Sequence, residues 1–137
     1  MTELERLLDG EPPSELQKHL GYRLVAWAPD FARVELPMAA YLTNRQGLPH
    51  GGIHATLLDT AMGFAGCYTG DPERRQMALT LSLTVNYLGQ ARGTRLIAEA
   101  RRTGGGKSTF FAEATVRDDT GAVLATGTGV FRYRRGG

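Results

Sequence analysis

His50-Gly51-Gly52 is followed at residue 59 by a lone carboxylate, in the run HGGIHATLLDTAMGFAG. Two adjacent glycines let a ligand approach the backbone closely, and the first N–H groups of a helix have no internal partners. Those donors and the helix dipole suit a carbonyl oxygen gaining negative charge, which is what acyl transfer requires. Asp59, about two turns further along, could serve such a carbonyl as base or nucleophile. The plainer alternative is a tight turn and a solvated carboxylate. The motif alone leaves both open.

Other groups carry less. His50, His54 and Asp59 invite a metal reading, but the run lacks the His-Glu-x-x-His pattern, and His54 points about 140° away from Asp59 on a helix. No metal is expected, and His54 is read as packed or solvent-facing. Cys67 has no base partner in the sequence and reads as a buried structural thiol. Gly104-Gly-Gly-Lys107-Ser108 looks like a phosphate loop, but Arg101 stands where the Walker pattern needs its first glycine. It also lies between two strands, where a glycine-rich hairpin fits better.

The elements that must position these groups follow from periodicity. Leu4 to Leu8 forms a short amphipathic start, broken at Pro12-Pro13. Ser14-Glu-Leu-Gln17 reads as a capping box and Gly21 as its stop, so residues 1–21 form a short helical segment of packing elements. Tyr22 to Ala28 and Phe31 to Leu36 read as strands joined at Pro29-Asp30, and Pro37 to Pro49 as a loop. In the helix that follows, Ile53, Leu57, Leu58, Ala61, Met62 and Ala65 share one broad face, while Thr56, Asp59, Thr60 and Gly63 form a narrow opposite stripe. After a turn at Thr69-Gly-Asp-Pro72, everything reads as strand. Ala78 to Tyr87 alternates, with Leu79, Leu81, Leu83 and Val85 on one face and Thr80, Ser82, Thr84 and Asn86 on the other. Thr94 to Arg101, Thr109 to Arg117 and Ala122 to Tyr133 follow, with Asp118-Asp-Thr-Gly121 as a hairpin turn. Arg132 to Gly137 reads as a frayed, solvated end.

One apolar helix among six strands implies an α+β domain whose antiparallel sheet of five to six strands curls around that helix. Gly127 and Gly129, on one strand face, would admit it closely. The polar stripe must then face solvent or a partner subunit, and Gly63 favours a dimer seam. With 137 residues, 42% hydrophobic and 22% charged, the chain reads as a single domain, residues 1–137, with a sizeable core. A net charge of +2 gives no nucleic-acid argument. No apolar run is long enough to cross a membrane, and the amino terminus lacks the apolar region of a signal peptide. One cysteine fits a reducing compartment, so a cytoplasmic location is expected.

The spacing Asn44-x2-Gly47-x2-His50-Gly51-Gly52-x4-Leu57-x-Asp59-x-Ala61 resembles the hotdog-fold acyl-CoA thioesterases, and within them the phenylacetate-degradation branch. The element order from about Tyr22 onward, including the strand ending Val85-Asn86-Tyr87-Leu88, is similar as well. The resemblance implies a hotdog fold and hydrolysis of an acyl-CoA to free acid and CoA, with no cofactor beyond the CoA of the substrate. It implies that Asp59 is the catalytic base or nucleophile and that the Gly51 N–H polarises the thioester carbonyl. Asn44 would hold the water or that carbonyl, His50 would shape the loop, and Thr80 would orient the water. It further implies an active site shared between two subunits, with dimers pairing into a tetramer. Gly52, Arg101, Arg102, Lys107 and Ser108 are the candidate substrate contacts, the basic ones for the CoA phosphates. Ala55, Met62, Phe64 and Leu48 are candidate walls of an aryl or short-to-medium acyl pocket. A hotdog hydratase and a non-catalytic acyl-CoA binder are the rival readings.

Overall fold

The computed structural model describes residues 1–134. Two short helices open the chain, α1 (Glu3–Leu8) and α2 (Glu15–Leu20). Ser14 caps α2, its Oγ accepting from the Gln17 N–H at 3.0 Å, and Gly21 ends it at φ 91°. That left-handed conformation costs glycine little and other residues more. Strands β1 (Arg23–Ala28) and β2 (Phe31–Pro37) follow, then α3 (Gly51–Gly66), β3 (Met77–Tyr87), β4 (Arg95–Gly105), β5 (Thr109–Asp118) and β6 (Val123–Arg134). The segment read as a loop before α3 contains a 3₁₀ turn at Ala40–Leu42 and a bridge between Thr43 and Pro49.

The six strands form one antiparallel sheet in the order β1-β2-β4-β5-β6-β3. Helix α3 touches all six, as expected of a sheet wrapped around one central helix. Leu57, Leu58, Ala61, Met62 and Ala65 are fully buried in that contact. A Cβ on Gly127 would sit 3.2 Å from a Leu58 methyl, and one on Gly129 would crowd Met62 and Phe131. The two glycines therefore let the helix lie close to the sheet, as their shared face implies.

Two expectations are corrected. The alternation assigned to β3 breaks at a bulge between Thr80 and Ser82. An extra residue in one strand shifts which face the following side chains meet. Leu83 and Val85 pack on the core, but Leu79 and Leu81 are 55% and 58% exposed, and Thr80 turns toward the helix. Apolar periodicity could not see this, because Leu79, Leu81, Leu83 and Val85 look alike in sequence. The second correction concerns the carboxyl end. Strand β6 continues through Arg134, and the Tyr133 hydroxyl donates to the Gly66 carbonyl at 2.6 Å. That stretch is sheet up to Arg134; residues 135–137, also assigned to the frayed end, lie outside the described residues.

The β5–β6 hairpin is tied down by its acids. The buried Asp118 carboxylate accepts backbone N–H bonds from Arg92, Gly93 and Thr120 at 2.8–3.0 Å. The neighbouring Asp119 accepts from the Thr94 N–H and hydroxyl. Those donors stabilise the ionised form and hold both carboxyls below their ordinary value.

Candidate functional site

Helix α3 starts at the His50-Gly51-Gly52 turn. His50 is its N-cap, and the His50 Nδ1 accepts from the Gly52 N–H at 2.9 Å. The Ile53 N–H donates to the His50 carbonyl at 2.8 Å. Among the described residues the Gly51 N–H has no partner, so of the first three helix donors it is the one left for a ligand. Gly52, expected to touch substrate, spends its N–H on His50. His50 therefore shapes the turn, with Nδ1 as the acceptor.

Gly51 is hemmed in from the sheet side. The Tyr87 hydroxyl donates to the Gly51 carbonyl at 2.7 Å, and a Cβ on Gly51 would lie 3.2 Å from that hydroxyl. Only glycine fits beneath this tyrosine without a shift. Tyr87 is a contact that the sequence reading did not single out.

Asn44 organises the preceding loop. Its Oδ1 accepts from the Gln46 and Leu48 N–H groups at 2.9 and 3.2 Å, and its own N–H donates to the Leu48 carbonyl at 2.7 Å. Its amide Nδ2 has no partner among the described residues. The side chain thus fixes the loop with one end and offers donors with the other.

Two turns on, Asp59 meets Thr80, whose Oγ1 donates to the Asp59 Oδ1 at 2.6 Å. The bulge after Thr80 makes this meeting possible by turning the hydroxyl toward the helix. Thr56, Asp59, Thr60 and Gly63 all remain partly exposed on the stripe that the helical wheel defines. A Cβ on Gly63 would meet nothing within 4 Å. Space therefore remains in front of the carboxylate.

A pocket of about 240 Å³ opens beside Asp59 and Thr80 and runs along α3 past Thr60, Gly63 and Phe64 to Cys67. Trp27 and Phe64 meet edge to face at 5.3 Å, and the indole Nε1 donates to the Phe64 carbonyl at 2.8 Å. Of the four expected pocket walls, Phe64 lines this space. Met62 is instead fully buried against the sheet, which removes it from the pocket. Cys67 is buried, and burial together with the Glu11 charge pushes its thiol up to about 12, so it stands there neutral. His54 is 5% exposed, lies edge-on to Tyr87, and is held below its ordinary pKa by burial; it is packed, one of the two readings offered for it.

The expected phosphate contacts do not form one patch. Arg101 projects from the outer face of the sheet over the Phe31 ring at 5.0 Å. It borders a charged hollow of about 420 Å³ there, with Glu99, Glu113 and Arg117. Arg102 is half-buried, and its Nε has no partner among the described residues. Lys107 is exposed in the β4–β5 hairpin. Ser108 shares a hollow with Leu79, Arg132 and Arg134. Arg132 and Arg134, placed by the sequence in a solvated end, are brought to Ser108 by the strand that carries them.

Residues 46–125, more than half of the chain, match the Thioesterase superfamily. The chain is 37% identical to a Halobacterium salinarum protein named, by inference, as an esterase, over 75% of this chain and 74% of that one. It is 29% identical to mouse acyl-coenzyme A thioesterase 13, over 76% of this chain and 74% of that one. A Bacillus halodurans protein solved with CoA superposes with a TM-score of 0.75 at 31% identity, over 96% of this chain and 88% of that one. The E. coli PaaI protein of the phenylacetic acid degradation operon shares the fold, with a TM-score of 0.83 at 22% identity over 98% and 94% of the two chains. The helix-wrapped sheet is therefore a hotdog fold, and the chain belongs to the thioesterase superfamily of thioester hydrolases.

Proposed function

We propose that the protein hydrolyses acyl-CoA thioesters to free acid and CoA, with Asp59 as the catalytic carboxylate. The observation that carries this reading is the Thr80–Asp59 hydrogen bond at the mouth of an aromatic-walled pocket. Thr80 occupies Oδ1, which leaves Oδ2 free to meet a water or the thioester. As a base, Asp59 would take a proton from water while the water oxygen attacks the carbonyl carbon. The tetrahedral intermediate would then expel the CoA sulfur, breaking the C–S bond, and the thiolate would recover a proton. As a nucleophile, Asp59 would attack the carbonyl carbon and expel the CoA thiolate, and water would open the resulting acyl-carboxylate anhydride to the free acid and the regenerated carboxylate. Both routes place negative charge on the carbonyl oxygen, where the unpartnered Gly51 N–H is suited to receive it. Neither route uses a metal or a prosthetic group; CoA enters with the substrate.

Gly51 and Asp59 of one chain cannot serve the same carbonyl. Eight residues of helix separate them by about 12 Å along its axis. The site is therefore assigned to two subunits, Asp59 and Thr80 from one and Gly51 and Asn44 from the other. The edge strand β3 supports this, because it presents Met77, Leu79, Leu81 and Tyr87 as exposed apolar groups beside an unpaired backbone edge. For the acyl group, Trp27 and Phe64 favour an aryl-acetyl or a short-to-medium chain.

Free-thiol release from phenylacetyl-, hydroxyphenylacetyl-, benzoyl-, butyryl-, hexanoyl- and palmitoyl-CoA tests this, with Asp59→Asn in parallel. Release that falls by about 10² or more in the variant is the expected result. Equal release from both proteins would overturn the role of Asp59. Acyl-CoA binding without release from any substrate would favour a non-catalytic binder.

A further inference from the structure

The segment ahead of β1 was read as packing, yet one of its residues reaches the pocket. Glu11, in the connection between α1 and α2, lines the same space as Asp59. The helix rise puts Cys67, beside Glu11, about 12 Å along α3 from Asp59. The pocket therefore has a catalytic end and a far end. Its middle is apolar or aromatic, with Gly63, Phe64, Trp27 and Phe131. Its far end is polar, with Glu11 and Gln76.

The Glu11 side chain is only 18% exposed, and its charged neighbour is Arg75, Nη2 to Oε2 at 3.5 Å. Burial raises the pKa of its carboxyl despite that arginine. A carboxylate so placed has acceptor capacity that one arginine contact at this distance does not fill. Glu11 and Phe64 also border a second cavity of about 480 Å³, beneath α1 and α2, with Leu4, Leu8, Pro12 and Val25. Glu11 thus stands between two largely apolar spaces, the second of which also carries Gln17 and Arg23. An apolar tail pushed past Phe64 would strip water from a carboxylate and give it nothing in return. A tail ending in a hydroxyl would supply the missing donor.

We propose that Glu11 is a specificity-determining residue that closes the far end of the pocket, favouring acyl groups with an apolar body and a hydrogen-bond donor at the distal tip. The inference rests on the thioesterase reading for its substrate. It adds that the amino-terminal segment, outside the catalytic helix and sheet, selects the acyl group.

The test measures kcat/KM for two matched pairs, 4-hydroxyphenylacetyl- against phenylacetyl-CoA and 6-hydroxyhexanoyl- against hexanoyl-CoA. The parent protein, Glu11→Gln and Arg75→Gln are compared. In the parent, the hydroxylated member of each pair is favoured by about tenfold or more, the usual gain from a hydrogen bond to a charged acceptor. Glu11→Gln keeps only a neutral amide acceptor and lowers both ratios several-fold. Arg75→Gln breaks the same ion pair but spares the carboxylate, so it keeps the preference. Glu11→Leu, which has no acceptor, brings both ratios close to one and shifts the optimum toward unsubstituted chains. Ratios unchanged by Glu11→Gln, or lost equally in Arg75→Gln, would overturn the proposal. Calorimetric binding of free 4-hydroxyphenylacetate and phenylacetate to the same proteins separates the two readings. If no acyl-CoA is turned over, the thioesterase reading falls. Tighter binding of the hydroxylated acid that weakens in Glu11→Gln would still uphold Glu11, and equal binding of the two acids would sink it.

Discussion

Thr80 determines which oxygen of Asp59 remains available. Its hydroxyl engages Oδ1 at 2.6 Å, and Oδ2 has no hydrogen-bond partner among the described residues. Thr80→Val preserves shape and removes the donor. It should lower kcat about tenfold while moving KM little, because in the proposed mechanism the lost interaction orients the carboxylate and does not bind acyl-CoA. Steady-state kinetics on the best substrate of the panel checks this, and a change confined to KM would contradict it. The place of Asp59 on a partly exposed polar stripe of an otherwise apolar helix was legible in sequence. Thr80 was legible only through family spacing. Nothing in Ala78 to Tyr87 announces the bulge that turns its hydroxyl inward. Glu11 was not legible at all, because its partners Trp27, Phe64 and Cys67 come from distant parts of the chain and local sequence carries no trace of a meeting made by tertiary packing.

The start of α3 and the β5–β6 hairpin are where single side chains set the geometry of whole elements. Tyr87 holds the Gly51 carbonyl from the last residue of β3, tying the edge strand to the turn that presents the Gly51 N–H. Tyr87→Phe should cost about 0.5–1.5 kcal/mol of stability and lower kcat several-fold, readable by chemical denaturation and turnover on one preparation. Unchanged turnover would show that the bond does not aim the donor. In the hairpin, Asp118 is held ionised by backbone donors from both Arg92–Gly93 and its own turn. Its folded pKa lies below the unfolded value of about 3.9. Its contribution is therefore complete above that value and is lost as pH falls through the folded one. Asp118→Asn should destabilise the protein at neutral pH and flatten the acid limb of its stability curve, measured by denaturant titration between about pH 2 and 7. The turn itself was legible from Asp-Asp-Thr-Gly; the reach of Asp118 back to the loop ahead of β4 was not, since it depends on strands pairing across the sheet.

At the scale of the molecule, the helix and six strands followed from periodicity because burial on one side of each element is a local pattern. The assembly does not leave such a pattern, except where the fold leaves something uncovered. Here the uncovered features coincide: an apolar edge strand β3, a partly exposed polar stripe on α3, and two sets of proposed site residues that one chain holds about 12 Å apart. A two-fold dimer seam would bring each half against its counterpart twice. The consequence can be tested without knowing the substrate's exact form. Asp59→Asn and Asn44→Ala each disable both sites of a homodimer, one from the carboxylate side and one from the loop side. Mixed after joint unfolding and refolding, the two variants should form hybrid dimers in about half of the population. Each hybrid would carry one site with both residues native, restoring about a quarter of parental activity from two nearly inactive proteins. Refolding each variant alone sets the baseline. If the mixture never rises above that baseline while size and mass measurements show hybrid dimers, both residues must act within one chain, and the shared-site assignment fails.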